Sequence, residues 1–208
     1  MKYGKLNGNE VFMLDGKPTG DTTGSFWSWA YSELESNIVR SVLAEYIVAS
    51  ALGITDKPGE DFREMWRPYD LLYGQTRIEV KSASTIQAWN TKHKGRFTFS
   101  IAPARVVDEF GNYRDDAPSQ RNSDVYVFCI FAPEDEDTPP LVLDAWKFYV
   151  IKTSVFDEKL PTQKTISFEP LKALGPVETD YKGLKAVIDG CKVDEVKSAT
   201  MHKHDGNI

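Results

Sequence analysis

The chain has 208 residues, of which 41% are hydrophobic and 27% are charged, and its formal net charge is −6. This length suffices for one sizeable core, and the composition excludes a disordered or fibrous protein. We therefore expect a single domain spanning residues 1–208.

Simple counts argue against a membrane protein, a secreted protein and a zinc protein. The longest apolar run, residues 125–132, has eight residues, whereas a bilayer span needs about 20. The N-terminal residues lack the apolar stretch of a secretory signal, so we expect a cytoplasmic protein without a membrane partner. Two cysteines and three histidines, without Cys-x-x-Cys spacing, predict neither a disulfide framework nor structural zinc.

The first thirty residues are rich in turn-forming residues. They hold five glycines together with Pro18, a composition that predicts turns and short strands. They lead into an aromatic cluster at residues 26–29, which we interpret as part of the core or as a docking surface.

A helix is predicted over residues 33–52. Ser32 and Glu35 have the spacing of a capping box, and Gly53 is the expected C-terminal stop. Apolar residues recur at three- and four-residue spacings, and Glu45 falls on the same stripe. Because an unpaired buried carboxylate is costly, we expect Glu45 to meet a cation, a metal ion or a hydrogen-bond network. An ion pair with a core arginine or lysine satisfies this pattern equally well.

Two strands, residues 69–73 and 76–82, flank a Gly-Gln dipeptide and predict a hairpin with a two-residue turn. In that register Asp70 lies directly opposite Glu79. Side chains alternate along a strand, so Ile78 and Val80 would point to the core while Glu79 points away from it.

Two carboxylates opposite each other require a compensating cation. Lys81 lies on the same face as Glu79 and supplies one. A divalent metal ion would supply a second, and Mg²⁺ commonly takes one or two carboxylates and leaves other positions to water and phosphate. This geometry suits phosphoryl chemistry. A four-residue turn would shift the pairing and make Asp61 or Glu64 the partner acid.

The charges are unevenly distributed along the chain. Residues 76–105 hold six basic residues and one acidic residue, whereas residues 106–137 hold two basic and nine acidic ones. The basic segment suggests an anionic ligand at one face. A solvated strand-and-loop surface would show the same pattern.

Stretches rich in β-branched and aromatic residues predict three more strands, over residues 96–101, 124–131 and 146–151. Together with the hairpin they make a sheet of about five strands. Helices are predicted over residues 169–174 and 181–188.

The chain resembles the PD-(D/E)XK nuclease superfamily in the order of its acidic residues. An inward acid on a helix comes first, then an acid before a hairpin, and then Glu79-Val80-Lys81. The resemblance covers residues 32–87. It implies an α/β fold of the restriction-endonuclease-like type, with a mixed central β-sheet of about five strands flanked by helices. The nuclease-like core would span residues 32–151, and residues 152–208 would form a C-terminal helical or irregular extension.

The resemblance also implies a metal site and its chemistry. Carried over by position, the Mg²⁺ ligands are Glu45, Asp70, Glu79 and the carbonyl of Val80. Lys81 would position the attacking water or help to deprotonate it. Gln87 matches a glutamine that some members place shortly after the lysine.

The expected function is a Mg²⁺-dependent DNA endonuclease in restriction, repair or mobile-element defence, with Mn²⁺ as a substitute metal. A homodimer would match a two-fold duplex substrate. The candidate phosphate contacts, which position DNA without reading its sequence, are Arg77, Lys92, Lys94 and Arg96. The alternatives are a non-catalytic DNA- or protein-binding domain of the same fold and a Mg²⁺-dependent phosphohydrolase of small nucleotides.

The tripeptide alone is a weak signal, because an acid followed two residues later by lysine occurs five times. Residues 195–199 even repeat the pentapeptide of residues 79–83. We reject this second copy because no apolar strand precedes it. In the motif written PD, proline directly precedes the acid, whereas here Tyr69 separates Pro68 from Asp70. Residues 124–129 also resemble a strand in a group of bacterial proteins, which implies no defined activity.

Overall fold

A computed structural model describes residues 5–55, 67–85, 97–105, 114 and 118–191. The strands in these residues are β1 Val11–Leu14, β2 Lys17–Thr22, β3 Leu71–Tyr73, β4 Thr76–Ser84, β5 Thr98–Ser100, β6 Val125–Phe131, β7 Trp146–Lys152, β8 Thr165–Ser167 and β9 Val177–Thr179. The α-helices are α1 Thr23–Tyr31, α2 Asn37–Leu52, α3 Thr153–Lys159, α4 Phe168–Ala173 and α5 Leu184–Asp189. No described helix has the length and apolar character that a membrane crossing requires.

Five strands form the central sheet, in the order β3-β4-β6-β7-β9. β4 and β6 are parallel, and the other neighbours are antiparallel. The chain is therefore an α/β protein with a mixed five-stranded sheet flanked by helices, as expected in outline.

The composition of the sheet differs from the prediction at one position. The strand expected over residues 96–101 appears as β5, which pairs with β8 in a separate two-stranded sheet. The fifth strand is β9, which pairs with β7 at the sheet edge. This strand has only three residues, one of them an exposed glutamate, so its sequence is too short to show the alternation of apolar and polar residues that predicts a strand.

The N-terminus of α2 also differs from the prediction. The helix begins at Asn37, and the Ser36 hydroxyl accepts a hydrogen bond from the backbone N–H of Val39 at 3.3 Å. Ser32 instead ends α1, because the aromatic cluster forms a helix of its own that the sequence did not predict. Gly53 ends α2 in the left-handed region with φ 68°, as expected.

The sheet is covered on both faces. One core lies under α2 and α5 and contains Ile78 and Val80 of β4. The other lies under α3, α4 and the β5–β8 sheet and contains Tyr126 and Phe128 of β6. Every residue of β6 is buried, so this strand forms the centre of the molecule.

The corrected helix start can be tested by comparing two serines. Ser36→Ala should lower the free energy of unfolding by about 1 kcal/mol, because it removes the side-chain acceptor for an otherwise unpaired helix N–H. Ser32→Ala should cost less, since Ser32 caps no N–H of α2. Urea unfolding of the two variants measures the difference. A larger loss for Ser32→Ala would restore the capping box expected from the sequence.

Candidate functional site

The β3–β4 hairpin has the turn that the sequence predicts. Tyr73 pairs with Thr76, and Leu71 pairs with Ile78. Gly74 has φ 63°, in the left-handed region that glycine adopts without a steric penalty. The two-residue turn is thus confirmed, and the four-residue alternative is not needed. Asp61 and Glu64 lie outside the described residues.

The predicted pairing of Asp70 with Glu79 is wrong in detail, because the ladder ends at Leu71 and Ile78. Asp70 donates its backbone N–H to the Ile78 carbonyl at 3.0 Å. Its Oδ2 accepts the backbone N–H of Val80 at 2.7 Å. Asp70 therefore contacts the residues on either side of Glu79. Its carboxylate occupies the edge of β4 just where β3 has ended.

Glu79 and Lys81 lie on one face of β4 and form an ion pair between Oε1 and Nζ. Both side chains remain partly exposed. Ile78 and Val80 point into the core under α2. The predicted division of β4 into an apolar face and a charged face is confirmed.

The Glu79 carboxyl has a raised pKa. The largest cause is its burial, and the charges of Asp70 and Glu45 raise the pKa further. The Lys81 ammonium opposes this shift without cancelling it. Carboxyl groups from α2 and from the residue before β3 therefore act on Glu79 of β4.

Glu45 points inward, as its place on the helix stripe predicts, and only 6% of it is exposed. α2 crosses β4 closely enough for the Ser41 and Ser82 hydroxyl oxygens to lie 3.3 Å apart. On this face of the sheet Cys129 is fully buried, and burial together with the charges of Asp70 and Glu45 raises its pKa. Glu45 and Asp70 thus lie near the same part of the sheet.

Tyr126 is a neighbour of the site that the sequence analysis missed. The parallel pairing of β4 with β6 aligns Tyr126 with Glu79. Burial and then the charge of Glu79 raise the pKa of Tyr126 to about 12. The sequence indicated both strands but contains no signal for the register of a parallel pair, whose connection is long.

The structure describes one of the four candidate DNA contacts. Arg77 makes a bidentate ion pair with Asp124, with Nε at 3.0 Å from Oδ2 and Nη2 at 2.7 Å from Oδ1. This pair orders the start of β4, so Arg77 has a structural role whatever else it binds. The other candidates, Lys92, Lys94 and Arg96, lie outside the described residues, as does Gln87.

The donor chemistry of the site fits a hard divalent cation, since carboxylate and carbonyl oxygens are the ligands that Mg²⁺ takes. Within the described residues, however, no group of three or more His, Cys, Asp or Glu side chains is arranged to hold a metal ion. The proposed ligand set therefore combines carboxylates with the Val80 carbonyl. Backbone oxygens and water would complete the shell.

Glu79 should make stability pH-dependent. A raised native pKa stabilises the fold below the ordinary value of 4.5, and that stability is lost as the pH rises through the native pKa. Glu79→Gln should remove this loss, so the stability of the wild type relative to the variant should fall with rising pH. Urea unfolding in EDTA from about pH 4 to about pH 8 measures it. Glu158→Gln, at an exposed position of α3, is the control. If the stability of the wild type and of Glu79→Gln changed with pH in the same way, the raised pKa of Glu79 would be contradicted.

Comparison of the chain with family models, with curated proteins and with solved structures finds no match. The mixed sheet flanked by helices agrees with the coarse fold class expected from the sequence. The finer likeness to the restriction-endonuclease-like fold stays a prediction.

Proposed function

We propose that the chain is a Mg²⁺-dependent endonuclease that hydrolyses phosphodiester bonds in DNA. The main support is that Glu79 is paired with Lys81 while the charges of Asp70 and Glu45 help to raise its pKa. Mutual repulsion at a partly exposed strand edge favours the binding of a cation. The order of these residues along the chain is the one that resembles the PD-(D/E)XK nucleases.

The residues that would hold the metal are Asp70, Glu79 and the Val80 carbonyl, with Glu45 adding negative charge from α2. A bound Mg²⁺ would supply a water of lowered pKa and neutralise charge on the scissile phosphate.

The protein groups have separate tasks in this proposal. Lys81 Nζ, held beside Glu79 by the ion pair, donates hydrogen bonds to the attacking oxygen or to the anionic phosphate oxygen. Asp70 is oriented by the N–H of Val80, so its second oxygen is the one available to a ligand. This pre-orientation lowers the cost of ordering the site on binding.

DNA is the proposed substrate because the segment that follows β4 is basic. Lys92, Lys94 and Arg96 are the proposed phosphate contacts, together with the part of Arg77 not committed to Asp124. Phosphate contacts position a duplex without reading its sequence. A restriction, repair or defence role is compatible with this chemistry.

A second candidate is a non-catalytic DNA- or protein-binding domain, and a specific observation favours it. Glu79 is already paired with Lys81, and one oxygen of Asp70 is already bonded to Val80. In the described part of the chain no three-residue metal group accompanies them. Existing internal partners can thus satisfy the acids without a metal.

Calorimetric titration of Mg²⁺ or Mn²⁺ and a plasmid-nicking assay test the proposal. Glu79→Ala should abolish metal binding, and Lys81→Ala should abolish nicking while leaving folding and most DNA binding intact. The repeated pentapeptide offers a matched control, because Lys197→Ala changes the same local sequence at the rejected copy. Lys197→Ala should nick plasmid at the wild-type rate.

The outcomes separate the two candidates. Metal-dependent nicking that is lost in Lys81→Ala and kept in Lys197→Ala supports the endonuclease. Wild-type protein that neither binds Mg²⁺ nor nicks DNA contradicts it and leaves the binding domain.

A further inference from the structure

The N-terminal arm, defined as residues 5–31, is apolar and exposed. No residue of β1, β2 or α1 is buried. Its exposed large apolar side chains are Leu6, Val11, Phe12, Met13, Leu14, Phe26, Trp27, Trp29 and Tyr31. Trp29 is the extreme case, with 85% of its surface exposed. An isolated two-stranded hairpin is marginally stable in water, so this arm needs a covering surface.

Polar contacts nevertheless set the shape of the arm. The Glu10 carboxylate accepts hydrogen bonds from the Thr23 hydroxyl and from the N–H groups of Asn7 and Gly8. These bonds lower the pKa of Glu10 to about 2. Gly24 donates its N–H to the Gly8 carbonyl at 2.9 Å. Hydrogen bonds thus hold α1 against the start of the arm while its apolar side chains face outward.

The two edges of the hairpin differ. Leu14 and Lys17 pair around a turn, Asp15-Gly16, whose residues both have positive φ, and the pair that closes such a turn is hydrogen-bonded. The next pair, Met13 and Pro18, therefore directs its backbone groups away from the partner strand.

This alternation blocks one edge and leaves the other open. The Phe12 carbonyl accepts the Thr19 hydroxyl at 3.2 Å, so it points inward as expected. At the Met13–Pro18 pair the backbone groups of both strands point away from the hairpin. Pro18 of β2 lacks an N–H, whereas Met13 of β1 offers both a backbone donor and a backbone acceptor. An open, fully apolar edge strand is a template for pairing with another strand.

The exposed area is large enough for a stable interface. An aromatic side chain covers roughly 150–250 Å², and the exposed fractions of the arm correspond to an apolar surface on the order of 1,000 Å². A standard interface uses about 800 Å² from each partner. Burial of most of this surface by a partner would therefore match one side of an ordinary interface.

The charge of the arm favours another protein over an anionic surface. The arm holds two lysines and three acids, so it lacks the positive charge that DNA or an acidic bilayer would attract. Because the arm is almost neutral, two arms that face each other repel each other only weakly. An apolar strand edge is also self-complementary, because antiparallel pairing about a two-fold axis presents the same surface from both partners.

We propose that the arm binds the arm of a second copy of this chain and so forms a dimer. β1 pairs antiparallel with β1 of the partner, which joins two hairpins into a four-stranded sheet. The α1 aromatic side chains, with Trp29 at their centre, are covered in the same interface. This inference does not depend on the proposed nuclease activity.

Sedimentation velocity of the full chain over a dilution series tests the dimer. We expect a species of twice the 23.5 kDa chain mass. Met13→Pro removes the open donor of β1, and Trp29→Lys places a charge in the apolar surface. Each should raise the dissociation constant at least about tenfold. Leu141→Lys, at an apolar side chain that is 64% exposed outside the arm, should leave it unchanged.

Hydrogen exchange of the Met13 amide provides a second measurement, because strand pairing should protect it in the dimer and dilution should remove the protection. Unchanged urea midpoints would show that the variants still fold. A chain that is still monomeric at about 100 μM would overturn the proposal, because interfaces of this size have dissociation constants of about 1 μM or lower. A dimer that both arm variants leave intact would also overturn it. So would binding of the monomer to neutral lipid vesicles through Trp29.

Discussion

Asp124 lies where three strands of the central sheet meet, and the register of the sheet depends on its contacts. Its carboxylate accepts the backbone N–H of Arg77 as well as the two guanidinium bonds, and its own N–H donates to the Arg77 carbonyl. Its carbonyl accepts the N–H of Thr153, directly after β7. Charge-assisted bonds of this kind are about twice as strong as neutral ones. They align β4 with β6, whose seven residues are all buried, and so they place the charged face of β4.

The candidate site follows from where β3 stops. Beyond Leu71 no strand pairs with that edge of β4 in the described residues, so the N–H of Val80 needs another acceptor. Asp70 provides it with its side chain, and this brings a second carboxylate next to Glu79. α2 adds a third from above the sheet. Backbone hydrogen bonding and charge repulsion thus arise at the same place, and Lys81 offsets only part of the rise in the pKa of Glu79.

The arm and the site use apolar surface in opposite ways. At the site, apolar residues of β4 and α2 are buried, and Glu45 and Asp70 lie close enough to Glu79 for their charges to raise its pKa. In the arm, hydrogen bonds centred on Glu10 fix the backbone while the apolar side chains stay exposed. The first arrangement brings like charges close together, and we propose that a cation binds there. The second leaves apolar area uncovered, and we propose that a second copy of the chain covers it. The ligands proposed for the two features therefore differ in chemistry.

Local sequence patterns correctly predict three features: the two-residue turn, the inward Glu45, and the alternation that separates Ile78 from Glu79. These follow from periodicity and turn chemistry, which act over a few residues. The other features depend on contacts between distant parts of the chain. The helix start moved to Ser36 because the aromatic cluster folds separately, and Asp70 bonds to Val80 because β3 ends early. The pairing of Glu79 with Tyr126 joins residues far apart in the chain, and such parallel contacts leave no signal in local sequence.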